Sequence, residues 1–292
     1  MQGIIVINKP QGFTSQDVVS KVKKILNVKK AGHTGTLDPM ATGVLPILLG
    51  NYTKLSKYLI EHNKTYIAKI KLGQKTDTGD IEGKIVEEKN VNLNVFKEEY
   101  LREVLNSFLG KQKQIPPMYS AVKVDGKKLY EYARSGETVE VKPRDIEIYD
   151  INLLSFDKER TEIEISVSCS KGTYIRVLCE NIAEKLETVG YMNSLNRILV
   201  DKFSIDNAID FETLEKNKEN QDFIKKTIIM MEEVFSDLPK IVLNSRKLEL
   251  FLNGVMLTFK NPDDLYNIYD ENGNYIGTGT IKNELLKRDI II

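Results

Sequence analysis

The 292-residue sequence has little that would build a metal centre, a disulfide framework or a membrane anchor. Its two cysteines, Cys169 and Cys179, form no CxxC pair, which argues against a disulfide framework and suits a reducing compartment. Two histidines, His33 and His62, are too few for a His-rich metal site. Apolar runs such as residues 44–49 are far shorter than the ~20 residues of a membrane helix, and no signal peptide is evident. We therefore expect a cytoplasmic protein with no structural metal.

Net charge is also absent, since 42 Lys and Arg balance 42 Asp and Glu. Neutrality argues against a general polyanion binder, whose affinity comes from massed cationic charge. The charge is nevertheless polarised, because residues 1–60 hold 8 basic and 2 acidic residues whereas residues 141–235 hold 13 and 19. The lysines of the first block form either a solvated helix face or an edge that contacts phosphates. They are Lys21, Lys23, Lys24, Lys29 and Lys30.

The pattern of apolar residues predicts an α+β protein of two domains. The first covers residues 1–235, and the second is a small β-barrel over residues 236–292. The turn-rich segment 73–83 is predicted to be a surface loop or a mobile lid. The predicted strands are 3–8, 44–49, 64–72, 119–124, 144–156, 161–168, 265–269 and 275–278. The predicted helices are 15–26, 53–61, 94–109, 128–134, 173–186, 211–214, 222–231 and 243–252.

The most unusual segment is GHTGTLDPMATGVLP, residues 32–46. Its Asp38 is one of two acidic residues among the first sixty, and Pro39 biases it away from helical conformation. Asp38 is either a turn carboxylate that caps a nearby amide or a carboxylate held for nucleophilic or acid–base chemistry on a polyanion. The phosphate-binding GxxxxGK[ST] and dinucleotide-binding GxGxxG motifs are absent, so we expect no nucleotide cofactor.

Five blocks resemble, in order and spacing, the TruB family, the bacterial tRNA pseudouridine-55 synthases. The resemblance is strong over about residues 1–205, and the C-terminal part is more weakly similar to a PUA-type RNA-binding barrel. It implies a pseudouridine-synthase fold, with a central mixed, mainly antiparallel sheet flanked by helices. The five blocks are NKPQGFTS (8–15), GHTGTLDPMATGVLPILLG (32–50), KTYIAKIKLGQKTDTGD (64–80), QIPPMYSAVKVDGKKLYEYAR (114–134) and SKGTYIRVL (170–178).

The resemblance also implies a reaction and three catalytic residues. Uracil is detached from C1′ of its ribose, turned and rejoined through C5, which requires no cofactor. Asp38 matches the family's nucleophile, and Arg176 matches the arginine that pairs with it and would keep it ionised. Tyr66 matches a tyrosine that stacks on the uracil and is placed to help move the C5 proton. Whether the aspartate attacks the base, attacks the sugar or removes a sugar proton stays open.

Five further residues are implied to bind or support the substrate. Tyr174 and Leu195 match residues that contact the base, and His33 matches a histidine that enters the RNA loop. Lys9 and Pro10 match a block that supports the catalytic loop. The implied partner is the T stem-loop of tRNA, bound by a monomer without a metal or a membrane. With this target, the lysines of the first block are favoured as phosphate contacts.

Two departures from the family pattern and two alternative functions remain. Asn196 replaces the first of two usual arginines, and Asp201 replaces a usual glycine. Both lie outside the residues implied to perform the chemistry, so they put local RNA contacts or a strand bend in doubt. The alternative functions are a related synthase directed by a guide RNA and a tRNA-folding chaperone that binds T loops without needing chemistry.

Overall fold

The computed structural model describes residues 1–292, apart from the side chain of Val95. Its strands are β1 (Gly3–Lys9), β2 (Ala31–His33), β3 (Thr42–Leu49), β4 (Lys64–Leu72), β5 (Gln74–Thr76), β6 (Ile85–Glu88), β7 (Gly110–Gln114), β8 (Lys123–Val124), β9 (Lys127–Lys128), β10 (Arg144–Asp157), β11 (Glu162–Cys169), β12 (Gly190–Val200), β13 (Phe203–Ser204), β14 (Lys240–Leu243), β15 (Leu257–Thr258), β16 (Asp264–Asp270), β17 (Tyr275–Lys282) and β18 (Leu285–Ile291). Its α-helices are α1 (Ser15–Ile25), α2 (Ser56–Leu59), α3 (Glu98–Asn106), α4 (Leu129–Arg134), α5 (Ile175–Lys185), α6 (Phe211–Asn217), α7 (Gln221–Thr227), α8 (Met231–Val234) and α9 (Ser245–Leu252).

A nine-stranded sheet forms the centre of the molecule. Its order is β1-β3-β12-β4-β11-β10-β7, with β2 paired to β3 and β13 paired to β12. Every pairing is antiparallel except that of β3 with β12. Helices cover the sheet through separate apolar clusters, one containing α1, α6 and α7 and another containing α3 and α5. The predicted α+β fold with a mixed, mainly antiparallel sheet is confirmed.

Local sequence explains how helix α1 begins. Thr14 accepts a hydrogen bond from the backbone N–H of Asp17, and the Asp17 carboxylate accepts one from the backbone N–H of Thr14. This reciprocal capping box satisfies donors that a helix start leaves unpaired. The apolar side of the helix, which contains Val18, Val19 and Val22, is buried against the sheet. The start of the helix is therefore fixed at Thr14 and Ser15, and Ser15 contacts Leu37 in the segment 32–46.

The C-terminal part forms a second sheet of five strands, in the order β14-β16-β17-β18-β15. With α9 it encloses its own apolar cluster, which includes Phe251, Ile268 and Leu286. Tyr275 and Ile290 of this sheet also pack into a cluster of the first sheet. The expectation was a small PUA-like β-barrel; the structure has a half-barrel sheet, which is consistent with a PUA-like domain, and the boundary near residue 235 stays a prediction. No helix of the described chain is both long and apolar enough to cross a membrane.

Three local predictions are wrong. Segment 73–83 is not a free surface loop, because Gln74–Thr76 pairs with Ile85–Glu88 and Asp80 is buried against β12. The predicted strand 119–124 is reduced to Lys123–Val124, which pairs only with the following Lys127–Lys128. The helix predicted over 94–109 is shorter, since α3 covers Glu98–Asn106.

Candidate active site

Two contacts from the N-terminal segment hold the residues on either side of Asp38. The Ser15 hydroxyl accepts a hydrogen bond from the backbone N–H of Leu37 at 2.8 Å and donates to its carbonyl at 3.2 Å. The carbonyl of Pro39 accepts from the backbone N–H of Gly12 at 2.9 Å. The loop that carries Asp38 is thus fixed by the first predicted block, NKPQGFTS, although the two segments are separated by helix α1.

Lys9 completes this support from beneath the loop. Its side chain is fully buried, and Nζ donates to the carbonyls of Pro10, Phe13 and Pro39 at 3.0, 2.6 and 3.1 Å. Burial lowers the pKa of Lys9 to about 8, and the charge of Asp38 opposes that change. All three ammonium donors are occupied by backbone carbonyls. These contacts favour the expected supporting role for Lys9 and Pro10, which stays a prediction.

Arg176, at the start of α5, joins four points that are distant in sequence. Its Nε lies 3.1 Å from Oδ2 of Asp38, and its Nη1 lies 3.6 Å from Oδ2 of Asp80. Nη1 also donates to the carbonyl of Thr78 at 3.1 Å, and Nη2 donates to the carbonyl of Tyr119 at 2.8 Å. The pairing of Asp38 with Arg176 is present as expected. Asp80 and the two carbonyls were not predicted, although Asp80 lies in the block KTDTGD.

The electrostatic environment of Asp38 differs from the expectation. Burial raises its pKa above the ordinary value; the Arg176 guanidinium lowers it, the Asp80 carboxylate raises it further, and Lys9 again lowers it. The guanidinium therefore orients Asp38 without overcoming the effect of burial. About a third of the Asp38 side chain remains exposed, against 6 % for Arg176. A partly desolvated carboxylate with an open side is suited to attack a substrate or to accept a proton from one.

An apolar wall lies beside this carboxylate. Tyr66 of β4 and Leu195 of β12 are 8 % and 7 % exposed, and both pack in one cluster with Leu37 and Met40. Burial raises the pKa of Tyr66, which keeps the phenol protonated at neutral pH. Tyr66 and Leu195 therefore belong to the same apolar cluster as Leu37, the residue before Asp38. Asp38, Tyr66, Arg176 and Leu195 are brought together as the sequence predicted.

Arg197 is a residue of this site that sequence reasoning missed. It is 1 % exposed, and its guanidinium donates to the carbonyls of Val44 and Gly35 at 2.8 and 3.2 Å. It lies opposite Tyr66 in the pairing of β12 with β4, and its charge opposes the rise in the pKa of Tyr66. The signal was available, because Leu195 and Arg197 alternate to the same buried side of the strand. Leu195 was predicted to contact the base, but Arg197, two residues later, was not assigned to the site.

The two departures from the family pattern have local explanations. Asn196 lies on the other side of β12 and accepts a hydrogen bond from the Thr42 hydroxyl at 3.3 Å. Asp201 has a φ of +51°, the left-handed conformation that glycine adopts without strain and aspartate tolerates. Its carboxylate lies 3.2 Å from Nδ1 of His62. The bend of the chain after β12 is kept without glycine.

Gly43 marks the place where two strands of the site approach most closely. Its φ is +105°, and a Cβ atom there would lie 2.2 Å from the carbonyl oxygen of Arg197. Only glycine permits this parallel contact between β3 and β12, which closes the sheet next to the loop of Asp38.

His33 and Tyr174 occupy the margin of the site, and both are half-buried. His33 ends β2, and its Nδ1 accepts from the backbone N–H of Gly35 at 3.3 Å. Burial lowers the pKa of His33, with Arg197 contributing, so the imidazole is neutral at pH 7. Tyr174 lies two residues before Arg176, and its backbone is bonded to the side chain of Gln114. Their contacts with RNA stay predictions, as do the roles of the other site residues.

No cluster of three or more His, Cys, Asp or Glu side chains suited to a metal ion is found in the described part of the chain. The charged groups closest to Asp38 instead include a guanidinium, an ammonium and a second carboxylate. Side-chain cations of this kind orient and stabilise an anion through charge-assisted hydrogen bonds. What the arrangement offers is one activated carboxylate beside an apolar wall.

Comparison with known proteins assigns the family. The model of the TruB family pseudouridylate synthase N-terminal domain matches residues 23–175. The chain is 44 % identical over 272 residues to tRNA pseudouridine synthase B of Francisella philomiragia, covering 93 % of this chain and 88 % of that one. It is 42 % identical over 289 residues to tRNA pseudouridine synthase B of Caldanaerobacter subterraneus, covering 98 % of each.

Solved structures give the same fold. The chain matches one in a Cbf5-Nop10-Gar1 complex with a TM-score of 0.72 and 25 % identity, covering 99 % of this chain and 84 % of that one. The family model covers the loop of Asp38 and Tyr66 and ends at Ile175, the residue before Arg176. The chain belongs to the TruB family of pseudouridylate synthases.

Proposed function

We propose that the protein is a tRNA pseudouridine synthase that isomerises uridine 55 in the T loop of tRNA. The observation that carries the proposal is the partly exposed carboxylate of Asp38, oriented by Arg176 next to the apolar wall of Tyr66 and Leu195. The names of the relatives support tRNA as the substrate. The protein acts in this proposal as a cytoplasmic monomer on the T stem-loop.

The target base must leave its stack before it reaches Asp38. Extrusion of a base costs a few kcal/mol, and stacking on an aromatic side chain returns ~1–3 kcal/mol. Tyr66 supplies that stacking face, and Leu195 and Tyr174 enclose the base. His33 fills the space that the extruded base leaves in the loop. Contacts with the RNA backbone supply the rest of the binding free energy.

The reaction then breaks the bond between N1 of uracil and C1′ of ribose and forms a bond between C5 and C1′. Asp38 assists the first step either by attack on the nucleotide or by removal of a sugar proton. Its lone pairs are available because part of the carboxylate remains open. After the base turns, C5 loses a proton, which Tyr66 helps to move, and N1 gains a proton in the product. The atoms of substrate and product balance, so no co-reactant is consumed.

The basic block gives the RNA a phosphate-binding edge. Lys24, Lys29 and Lys30 are exposed near the end of α1 and in the loop that leads to β2. Lys21 differs, because its ammonium lies over the rings of Phe13 and Phe211 at 5.5 and 4.4 Å from their centroids. We assign phosphate contacts to the three exposed lysines and a packing role to Lys21.

The test uses an unmodified tRNA transcript and the purified protein. Pseudouridine is mapped by chemical labelling and primer extension, with a transcript that carries cytidine at position 55 as the control. Product at uridine 55 of the first transcript supports the proposal. Binding without product would favour the chaperone alternative, and product only after addition of a guide RNA would favour the guided alternative.

A further inference from the structure

Gln114 makes a two-point contact with the backbone of Tyr174, sixty residues later in the chain. The backbone N–H of Tyr174 donates to Oε1 of Gln114 at 2.8 Å, and Nε2 of Gln114 donates to the carbonyl of Tyr174 at 3.0 Å. Gln114 is 6 % exposed. A side-chain amide is suited to this contact, since it presents a donor and an acceptor side by side as a neighbouring strand would.

The contact connects two segments of the chain that both lead to Arg176 or to one of its acceptors. Gln114 ends β7 and is followed by the segment that leads to Tyr119, whose carbonyl accepts from Nη2 of Arg176 at 2.8 Å. In the second segment, Tyr174 immediately precedes α5, whose second residue is Arg176. Gln114 therefore connects the start of α5, which carries Arg176, to the segment that contains Tyr119, one of the acceptors of Arg176.

We infer that Gln114 is a positioning residue that sets the guanidinium of Arg176 against Asp38. The inference rests on the proposed function for its effect on rate and deepens it. Loss of the amide leaves the backbone N–H of Tyr174 without its acceptor, while the Tyr174 carbonyl keeps only the hydrogen bond from the Leu178 N–H. The start of α5 is then held to β7 by neither bond and is free to shift relative to Tyr119. Such a shift moves the guanidinium of Arg176 away from Asp38, whose carboxylate has few other partners.

The chain offers a matched control on the same strand. Gln112 lies two residues earlier, and its Nε2 donates to the carbonyl of Phe108 at 2.7 Å. It has the same side chain and also donates to a backbone carbonyl, but it forms no hydrogen bond with Tyr174. Gln112→Ala therefore reports the cost of losing a glutamine from β7, and Gln114→Ala reports that cost together with the loss of positioning.

The rate and binding of these variants are measured with enzyme in excess over tRNA. For Gln114→Ala we expect the single-turnover rate to fall by about 10–100-fold, as a displaced catalytic partner does, with tRNA affinity changed by no more than about twofold. The acidic limb of its pH–rate profile moves to higher pH, because the displaced guanidinium lowers the pKa of Asp38 less. Asp80, Lys9 and Glu82, the other charged groups close to Asp38, are unchanged in both variants.

A second measurement does not depend on activity. Hydrogen exchange at the Arg176 Nε–H is followed by NMR, with Arg176→Lys used to assign the signal. We expect faster exchange in Gln114→Ala than in wild type or Gln112→Ala. Gln114→Glu places an acceptor oxygen against the Tyr174 carbonyl. We expect its rate, expressed relative to wild type at the same pH, to recover as acidification protonates that carboxyl group, since the neutral acid donates again.

The outcomes separate this inference from the proposed function. No pseudouridine from the wild-type protein contradicts the proposed function, and the exchange measurement still tests the positioning. An unchanged rate, acidic limb and exchange in Gln114→Ala would overturn the positioning. Equal losses in Gln112→Ala and Gln114→Ala, matched by equal losses in urea stability, would overturn it as well.

Discussion

Asp38 in the first sheet's loop and Asp289 in the C-terminal sheet both pair with a cation, and they differ in how completely they are satisfied. The Asp289 carboxylate accepts from the hydroxyls of Tyr58 and Thr278 at 2.7 and 2.9 Å and also from Lys57. Its side chain is 11 % exposed, against 34 % for Asp38. Asp38 has one guanidinium, which it shares with Asp80.

The difference separates a structural carboxylate from a reactive one. The bonds from Lys57 and Tyr58 join Asp289 to α2 and dock the C-terminal sheet on that helix, whereas the bond from Thr278 lies within the sheet. Asp38 is held through its neighbours in the chain and through one partner, so part of its acceptor capacity stays open towards solvent. Satisfied buried groups stabilise a fold, whereas partly satisfied ones are available for chemistry at a cost in stability.

The largest effect in this comparison is expected from removing the cation of Asp38. Arg176→Met leaves Asp38 and the buried Asp80 without their shared guanidinium, so activity falls by about 10²–10³-fold. We also expect the free energy of unfolding to fall by about 3 kcal/mol, because a buried carboxylate loses its partner. Single-turnover kinetics and urea unfolding measure the two losses. A rate within tenfold of wild type would contradict the role of the guanidinium.

The reverse pattern is expected for Asp289→Ala. The buried hydroxyl of Thr278 and the half-buried hydroxyl of Tyr58 lose their acceptor, so the free energy of unfolding falls by about 2 kcal/mol. The single-turnover rate of the folded variant stays close to wild type, because the site of Asp38 is untouched. Urea unfolding is compared with Glu249→Ala, which removes an exposed carboxylate from helix α9 beside the same sheet. Equal stabilities of the two variants would show that Asp289 does not dock the sheet.

The pH dependence of activity tests the environment of Asp38 directly. Its raised pKa means that the folded state binds the proton more tightly than the unfolded chain does. Activity that needs the carboxylate is therefore lost as pH falls through a pKa above the ordinary value of 3.8. An acidic limb of kcat/KM at or below that value would contradict the effect of burial.

The same shift has a consequence for stability. Ionised Asp38 destabilises the folded state at neutral pH, and this cost disappears as pH falls below its folded-state pKa. Asp38→Asn should therefore resist urea better than wild type at pH 7, with the difference shrinking under acidic conditions. Urea midpoints at several pH values follow this trend. A variant less stable than wild type at pH 7 would oppose it.

The smallest effect is expected from the cation of Asp289. Lys57 is 54 % exposed, and a pair of this kind contributes less than about 1 kcal/mol. Lys57→Met should therefore lower the free energy of unfolding far less than Asp289→Ala does. A loss as large as that of Asp289→Ala would assign the docking to the charge pair rather than to the hydroxyls.

Sequence reasoning succeeded where a signal was local. The start of helix α1, the strand β4 and the block around Asp38 each contain their signal within a few neighbouring residues. The family blocks then brought Asp38, Tyr66 and Arg176 together. Their spatial meeting was implied by the resemblance, since periodicity alone does not pair residues that are more than a hundred positions apart.

The failures have a different physical origin. Strand β12 has two shifts of register, after Met192 and after Arg197, which break the alternation that indicates a strand. Arg197 was missed with it. Segment 73–83 contains turn residues and charges, and its burial comes from bonds to Met192 and Arg176 that are formed only in the folded protein. Gln114 satisfies backbone groups sixty residues away, which no pattern within β7 reveals.

The most direct test of this account sets Asp38→Asn beside Asp289→Asn on the same tRNA transcript at neutral pH. Formation of pseudouridine at uridine 55 and the free energy of unfolding are measured for both variants and for wild type. The account predicts that Asp38→Asn makes no detectable pseudouridine while remaining at least as stable as wild type. It predicts that Asp289→Asn makes pseudouridine at nearly the wild-type rate and is less stable. Pseudouridine formation by Asp38→Asn at the wild-type rate would contradict the account.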